Sequence, residues 1–312
     1  MIHETIQPLL CCGFTPCVQR MITFSRLEKH GVNRALQVEV GVGGKGANTA
    51  RVLVQMGAKP ILLGFSGGQN GRTLEAMLDA EGVDYQHVRT EGETRICQTL
   101  LEEGRGDPTE LVEEMPPLSE MEWSRMEDLI SKKDLSGLVS VSGKFPKGVP
   151  EKACAWITRQ VKEAGGRIVL DVPGEPLLHT LAHQPFWVKM NDEELCATLG
   201  KEISMQEGAK ELIQKGAQNV VITRGASSAF LWNEQGGWEI FPPQISAINP
   251  VGSGDATTAG ILLELAKGND ALEAARRGMA CGAANALHLH CGVVTPADVE
   301  RLRKEIVWEE VE

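Results

Sequence analysis

The run Asn249-Pro250-Val251-Gly252-Ser253-Gly254-Asp255-Ala256, continued by Thr257, Thr258, Ala259 and Gly260, is a stretch of small residues built around one carboxylate. Gly252 and Gly254 let the backbone turn tightly and approach a ligand. A helix beginning near Gly254 would present its unpaired N–H groups and positive dipole end to an anion. An Asp at that helix start could take the proton from an attacking hydroxyl while the turn holds a phosphoryl group in transfer. Taken alone, Asp255 would serve as well to stabilise the helix dipole. A second glycine turn, Gly41-Val42-Gly43-Gly44-Lys45-Gly46-Ala47-Asn48, also opens a helix and satisfies G-x-G-x-x-G over residues 41–46. A dinucleotide site would need an acidic residue about twenty positions on, at the end of the next strand. The chain reads Gly64-Phe65-Ser66 there. The G-x-x-x-x-G-K-[ST] loop is excluded too, because Glu39 stands five residues before Gly44. What remains is a backbone-exposing turn with Lys45 and Asn48, suited either to hydrogen-bonding a polyol or to packing.

The elements that must position these turns read as an alternation. Apolar runs of strand length at 7–12, 60–65, 137–142, 167–172, 186–190 and 219–223 interleave with segments of helical period at 45–56, 70–80 and 150–164. Another helix is opened by the capping box Ser119-x-x-Glu122. The last part reads as helical: one helix from near Gly254, one at 270–288, and one capped by Thr295 with Asp298 in its first turn. The pattern predicts a parallel sheet covered by helices on both faces. Residues 21–42 and 95–112 break it with alternating polar and apolar residues, and are expected to form small antiparallel strands of a lid around the loop at 102–108.

Composition narrows the chemistry. The 312 residues are 42% hydrophobic and 23% charged, ordinary for a globular protein, and the formal charge of −11 opposes a nucleic-acid backbone and an anionic membrane surface. Eight scattered cysteines without a CxxC pair are expected to be reduced, mostly buried thiols. His288-x-His290-Cys291 lacks metal-ligand spacing. With no secretory leader or long apolar run in view, a cytoplasmic protein is expected.

With both glycine turns in view, the chain resembles the ribokinase or PfkB family of carbohydrate kinases over nearly its whole length. Gly43-Gly-Lys-Gly-Ala-Asn48 corresponds to the family's N-terminal motif and Asn249-Pro-Val-Gly-Ser-Gly-Asp-Ala256 to its C-terminal one, in wording most like the 1-phosphofructokinase and tagatose-6-phosphate kinase branch. The resemblance implies a ribokinase-like three-layer α/β/α domain over 1–312, with a mostly parallel central sheet and a β lid from about 14–42 and 92–113. It implies ATP and Mg²⁺, Asp255 as general base, and the N–H groups of Gly252, Ser253 and Gly254 as the hole for developing phosphoryl charge.

In Lys189-Met-Asn191-Asp-Glu-Glu194, Met190 departs from the family's Lys-Pro-Asn-x-x-Glu, and Asn191 and Glu194 are implied near the metal and its waters. Asn191 and Glu194 also read as a helix capping box. Thr223 and Gly225 match the nucleotide loop, where Ser228 replaces a glycine, and Asn285 falls where the family often lines the adenine pocket. For the acceptor, the resemblance implies Gly43, Gly44, Lys45 and Asn48, with Gln19 where the family places an Asp. Arg34, Arg95 and Lys144 are expected to converge on a substrate phosphate. The expected partner is a sugar or sugar phosphate. A ligand-binding or regulatory member of the fold and a nucleoside kinase stay as alternatives. A monovalent cation and a homodimer through the lid are left open.

Overall fold

A computed structural model describes residues 7–104 and 108–311; Arg105, Gly106 and Asp107 of the loop at 102–108 lie outside the described residues. In chain order the elements are β1 (Leu9–Cys12), β2 (Cys17–Phe24), β3 (Gln37–Gly43), α1 (Lys45–Gln55), β4 (Ile61–Gly67), α2 (Gly68–Ala80), β5 (Asp84–Thr90), β6 (Ile96–Glu102) and β7 (Thr109–Val112). They continue with α3 (Glu120–Ser131), β8 (Leu138–Ser142), α4 (Ala153–Glu163), β9 (Arg167–Asp171), α5 (Glu175–Leu181), β10 (Trp187–Asn191), α6 (Asp192–Leu199) and α7 (Met205–Gln214). The last are β11 (Asn219–Arg224), β12 (Ser228–Asn233), β13 (Gly236–Phe241), α8 (Ser253–Ala266), α9 (Ala271–Ala286), α10 (Pro296–Arg303) and β14 (Val307–Val311).

Among the described residues, ten strands form one sheet in the order β14-β13-β12-β11-β10-β9-β8-β1-β4-β5. Its strands from β11 to β5 are parallel, which requires burial on both faces and explains the apolar runs of all but the edge strand β5. Side chains alternate across it. Leu9, Cys11, Leu62 and Val169 enter the core shared with α1, α8 and α9, while Leu10, Cys12, Leu63 and Leu170 enter the core shared with α3, α4 and α7. The result is the expected three-layer α/β/α architecture, and the predicted caps at Ser119 and Thr295 both form.

Two expectations need correction. The carboxyl-terminal part is not all helical: β14 pairs antiparallel with β13, which with β12 adds an antiparallel edge. Val307 and Trp308 are exposed on that edge strand, so burial gives it no apolar signature. The lid is a mixed sheet, ordered β3-β2-β6-β7, in which β2 and β6 are parallel. The long excursion between them through α1, β4, α2 and β5 leaves β6 free to enter in either direction. One lid face, carrying Cys17, Gln19, Cys97 and Glu110, looks into a cavity; the other carries exposed Val38, Val40 and Leu111. Among the described residues, no helix is long and apolar enough to cross a membrane.

Candidate active site

The cavity, of about 580 Å³, lies between the lid and the carboxyl ends of the parallel strands, where open α/β sheets bind ligands. Its floor is the turn entering α8. Gly252 adopts φ +83, and a Cβ there would stand 2.7 Å from that of Cys291, so glycine answers both strain and space. Buried Asn249 ties the turn down, accepting from Val251 N at 3.1 Å and donating to Leu289 O at 2.7 Å. The N–H groups of Gly254 and Asp255 stand in the first helical turn without intrahelical acceptors. Ser253 N–H, expected in the anion hole, instead donates to Pro250 O at 3.1 Å and stabilises the turn itself.

Asp255 is buried beside this turn, its Oδ2 accepting from Asn48 Nδ2 at 2.7 Å, so the two glycine motifs meet at one carboxylate. Burial, then the charge of Asp171, pushes its pKa up to about 6 against Lys45, Asn48 and Lys189. Asp171, at the end of β9, is wholly buried and accepts from Lys45 Nζ at 2.9 Å, Lys189 Nζ at 3.2 Å and Thr258 Oγ1 at 3.1 Å. Burial alone would raise Asp171, but Lys189 and Lys45 outweigh it and hold the carboxyl down to about 2. Lys45 also meets Glu194 Oε1 at 2.8 Å. Burial works against its ammonium, yet Asp171 and Glu194 prevail and its pKa moves up. Lys189 presses on the turn from below: a Cβ at Gly254 would lie 2.7 Å from its Nζ.

The sequence-predicted residues divide accordingly. Gln19, Gly44, Lys45, Asn48, Arg95, Lys189, Asn191, Glu194, Thr223 and Gly225 all line the cavity, and Gly43 packs against Gln19. Asn285, expected in an adenine pocket, does not line the cavity. It is fully buried, donating to Val251 O at 2.9 Å and accepting from Gly292 N at 2.7 Å, so it clamps the anion turn to the segment after α9. An apolar stretch of the cavity wall is supplied by Ile245, Val251, Met279 and Ala283. Met279, Ala283 and Ala286 follow a helical stripe along α9, a signal that sequence alone does not separate from core packing. The three expected phosphate-holding cations do not converge. Arg34 and Lys144 are exposed and outside the cavity lining, because their loops carry them outward, and only Arg95 reaches it. Its guanidinium donates to the backbone oxygens of Thr15 and Glu113. Asp171 carries no signal in the sequence, since one acid ending an apolar strand has no local signature.

Asn191 and Glu194 do form the capping box of α6, with Glu194 N donating to Asn191 Oδ1 at 2.7 Å. The ammonium of Lys45 already sits between the carboxylates of Glu194 and Asp171, so the strand ends accommodate a cation. Among the described residues, no group of three or more His, Cys, Asp or Glu could cage a metal. The oxygens that Asn191 and Glu194 bring to the cavity wall suit Mg²⁺ that keeps most of its waters.

A family model described as pfkB family carbohydrate kinase matches residues 14–298. Escherichia coli phosphofructokinase-2, solved in complex with potassium, superposes with a TM-score of 0.89 at 24% identity, covering 96% of this chain and 98% of that one. A possible 1-phosphofructokinase of Thermotoga maritima gives 0.87 at 22% identity, over 97% and 99% of the two chains. The ribokinase of the same organism gives 0.76 at 16% identity, over 96% and 99%.

Proposed function

Because the chain belongs to the pfkB family of carbohydrate kinases, we propose that it transfers the terminal phosphoryl group of ATP to a hydroxyl of a sugar or sugar phosphate, with Asp255 as general base. One observation carries the assignment of the base: a buried carboxylate with its pKa pushed up to about 6 stands in the cavity beside the unpaired N–H groups of a helix start. Asn48 orients it through Oδ2, leaving Oδ1 for the acceptor hydroxyl. The N–H groups of Gly254 and Asp255, with the ammonium of Lys189 behind them, face the place where phosphoryl charge develops. Thr223, Gly225 and the apolar stripe of α9 hold the nucleotide. When bound, Mg²⁺ supplies charge neutralisation to the nucleotide phosphates, and Asn191 and Glu194 hold its waters. The Escherichia coli relative was solved with potassium, which motivates testing a monovalent cation here.

The acceptor is found with Mg-ATP and a panel of fructose 1-phosphate, fructose 6-phosphate, tagatose 6-phosphate, free hexoses and pentoses, and nucleosides. Turnover of a sugar or sugar phosphate supports the reading; turnover of nucleosides alone, or nucleotide binding without transfer to any acceptor, rejects it. For the acceptor found, kcat/KM should fall tenfold per pH unit below about 6, because the base works only ionised. A rate flat between pH 5 and 8 removes Asp255 from that role.

The apolar outer lid face, with Val38, Val40 and Leu111 about half exposed, supports a homodimer paired through the lids. Sedimentation equilibrium should give twice the chain mass, and Val40→Asp should reduce it to the monomer.

A further inference from the structure

Position 19 carries an amide where the family places the carboxylate that receives sugar hydroxyls. Gln19 is also committed internally: its Nε2 donates to Thr99 Oγ1 at 2.8 Å, its Oε1 lies 3.6 Å from Cys17 Sγ, and the residue is only 5% exposed. One amide N–H and one lone pair are thus taken, and what it can still offer an acceptor carries no charge. A carboxylate nonetheless lines the cavity beside it, from the neighbouring edge of the lid. Glu110, on β7, lies opposite Thr99 of β6, the residue that holds Gln19. Glu110 lines the cavity with Gln19, Cys17, Cys97 and Arg95, and no hydrogen bond or ion pair to it is found among the described residues. Arg95 does not neutralise it, since the Arg95 donors go to the backbone oxygens of Thr15 and Glu113. Partial desolvation at the cavity wall moves the Glu110 carboxyl above its ordinary range, and no partner offsets it.

Resting on the kinase reading above, the geometry points to Glu110 as the residue that selects the acceptor, receiving hydrogen bonds from sugar hydroxyls in place of the carboxylate missing at position 19. An ionised carboxylate accepts two hydroxyls at once and makes the stronger, charge-assisted kind of bond. It also repels a phosphate brought to the same wall; of the cations expected to attract one, Arg34 and Lys144 lie outside the cavity and Arg95 is bonded to the backbone oxygens of Thr15 and Glu113. The acceptor class is thus a polyol that presents hydroxyls, not phosphate, to the lid.

The test is steady-state kinetics of Glu110→Gln and Glu110→Ala with the acceptor found in the panel, beside thermal melting. Glu110 is exposed on an edge strand, so both variants should melt with the wild type. The expected result is a rise of about ten- to a hundredfold in the KM for the acceptor, with kcat and the KM for ATP within about twofold. Glu110→Asp should recover part of the loss. An acceptor KM within twofold of wild type in both Gln and Ala variants overturns the assignment of Glu110 and leaves the kinase reading intact. A wild-type protein that phosphorylates no member of the panel overturns both.

Discussion

Asp255→Asn is expected to cost about a thousandfold in kcat and, at the same time, to make the protein more stable. The first effect follows from losing the proton acceptor, since a positioned general base is worth about 10²–10⁴ in rate. The second follows from what the fold does to that carboxyl. Its pKa in the folded protein is about 6, above the ordinary value near ~4, so folding favours the protonated form. The stability associated with it is fully present below the unfolded value and is lost as pH rises through the folded one. At pH 8 the buried charge therefore costs roughly 3 kcal/mol, which a neutral amide avoids while its Oδ1 still accepts from Asn48 Nδ2. The melting temperature of Asp255→Asn should exceed that of the wild type by roughly 4 °C at pH 8. The gap should narrow to roughly half at pH 5, where the unfolded carboxyl is still ionised, and close only below about 4. A variant that is inactive and also less stable at pH 8 would mean that Asp255 is chiefly a structural carboxylate.

What could be read in the sequence is what local backbone chemistry writes into it. The turn at Gly252 and Gly254 requires glycine, one for a positive φ and the other for a lysine ammonium pressed against it, and the caps at Ser119, Asn191 and Thr295 answer the orphan N–H groups of their helices. These signals lie within a few residues and survive as motifs. Groups that act across the fold do not. Asn285 occupies a recognisable position, but its amide is turned to Val251 and Gly292, contacts 34 and 7 residues away. Arg34 and Lys144 match expected positions along the chain, but a loop residue's place in sequence does not fix where its long side chain ends. The lid's parallel β2–β6 pair and the β14 edge were hidden for a related reason: pairing partners far apart in sequence leave alternation visible but not direction.

Asp171 is the sharpest case of a residue legible only in three dimensions, and its removal should have two linked effects. Its carboxylate answers Lys189, whose side chain is 4% exposed, and shares Lys45 with Glu194. In Asp171→Asn the Lys189 ammonium would remain buried with no carboxylate against it, and breaking such a pair costs roughly 3–5 kcal/mol. The wild-type carboxyl, held at about 2, contributes stability that is present above its unfolded value and lost only as pH falls through about 2. The deficit of the variant should therefore persist across the neutral range in urea unfolding. The second effect falls on the base. Asp171 is the charge that, after burial, does most to raise Asp255, whereas Lys45 and Lys189 lower it. Removing the anion and keeping both cations must lower the pKa of Asp255. The acid limb of kcat/KM should then move from near pH 6 toward lower pH, so the less stable enzyme keeps its rate further into acid. A destabilised variant whose acid limb stays near 6 would show that the two carboxylates do not share a field, and that burial alone sets the base.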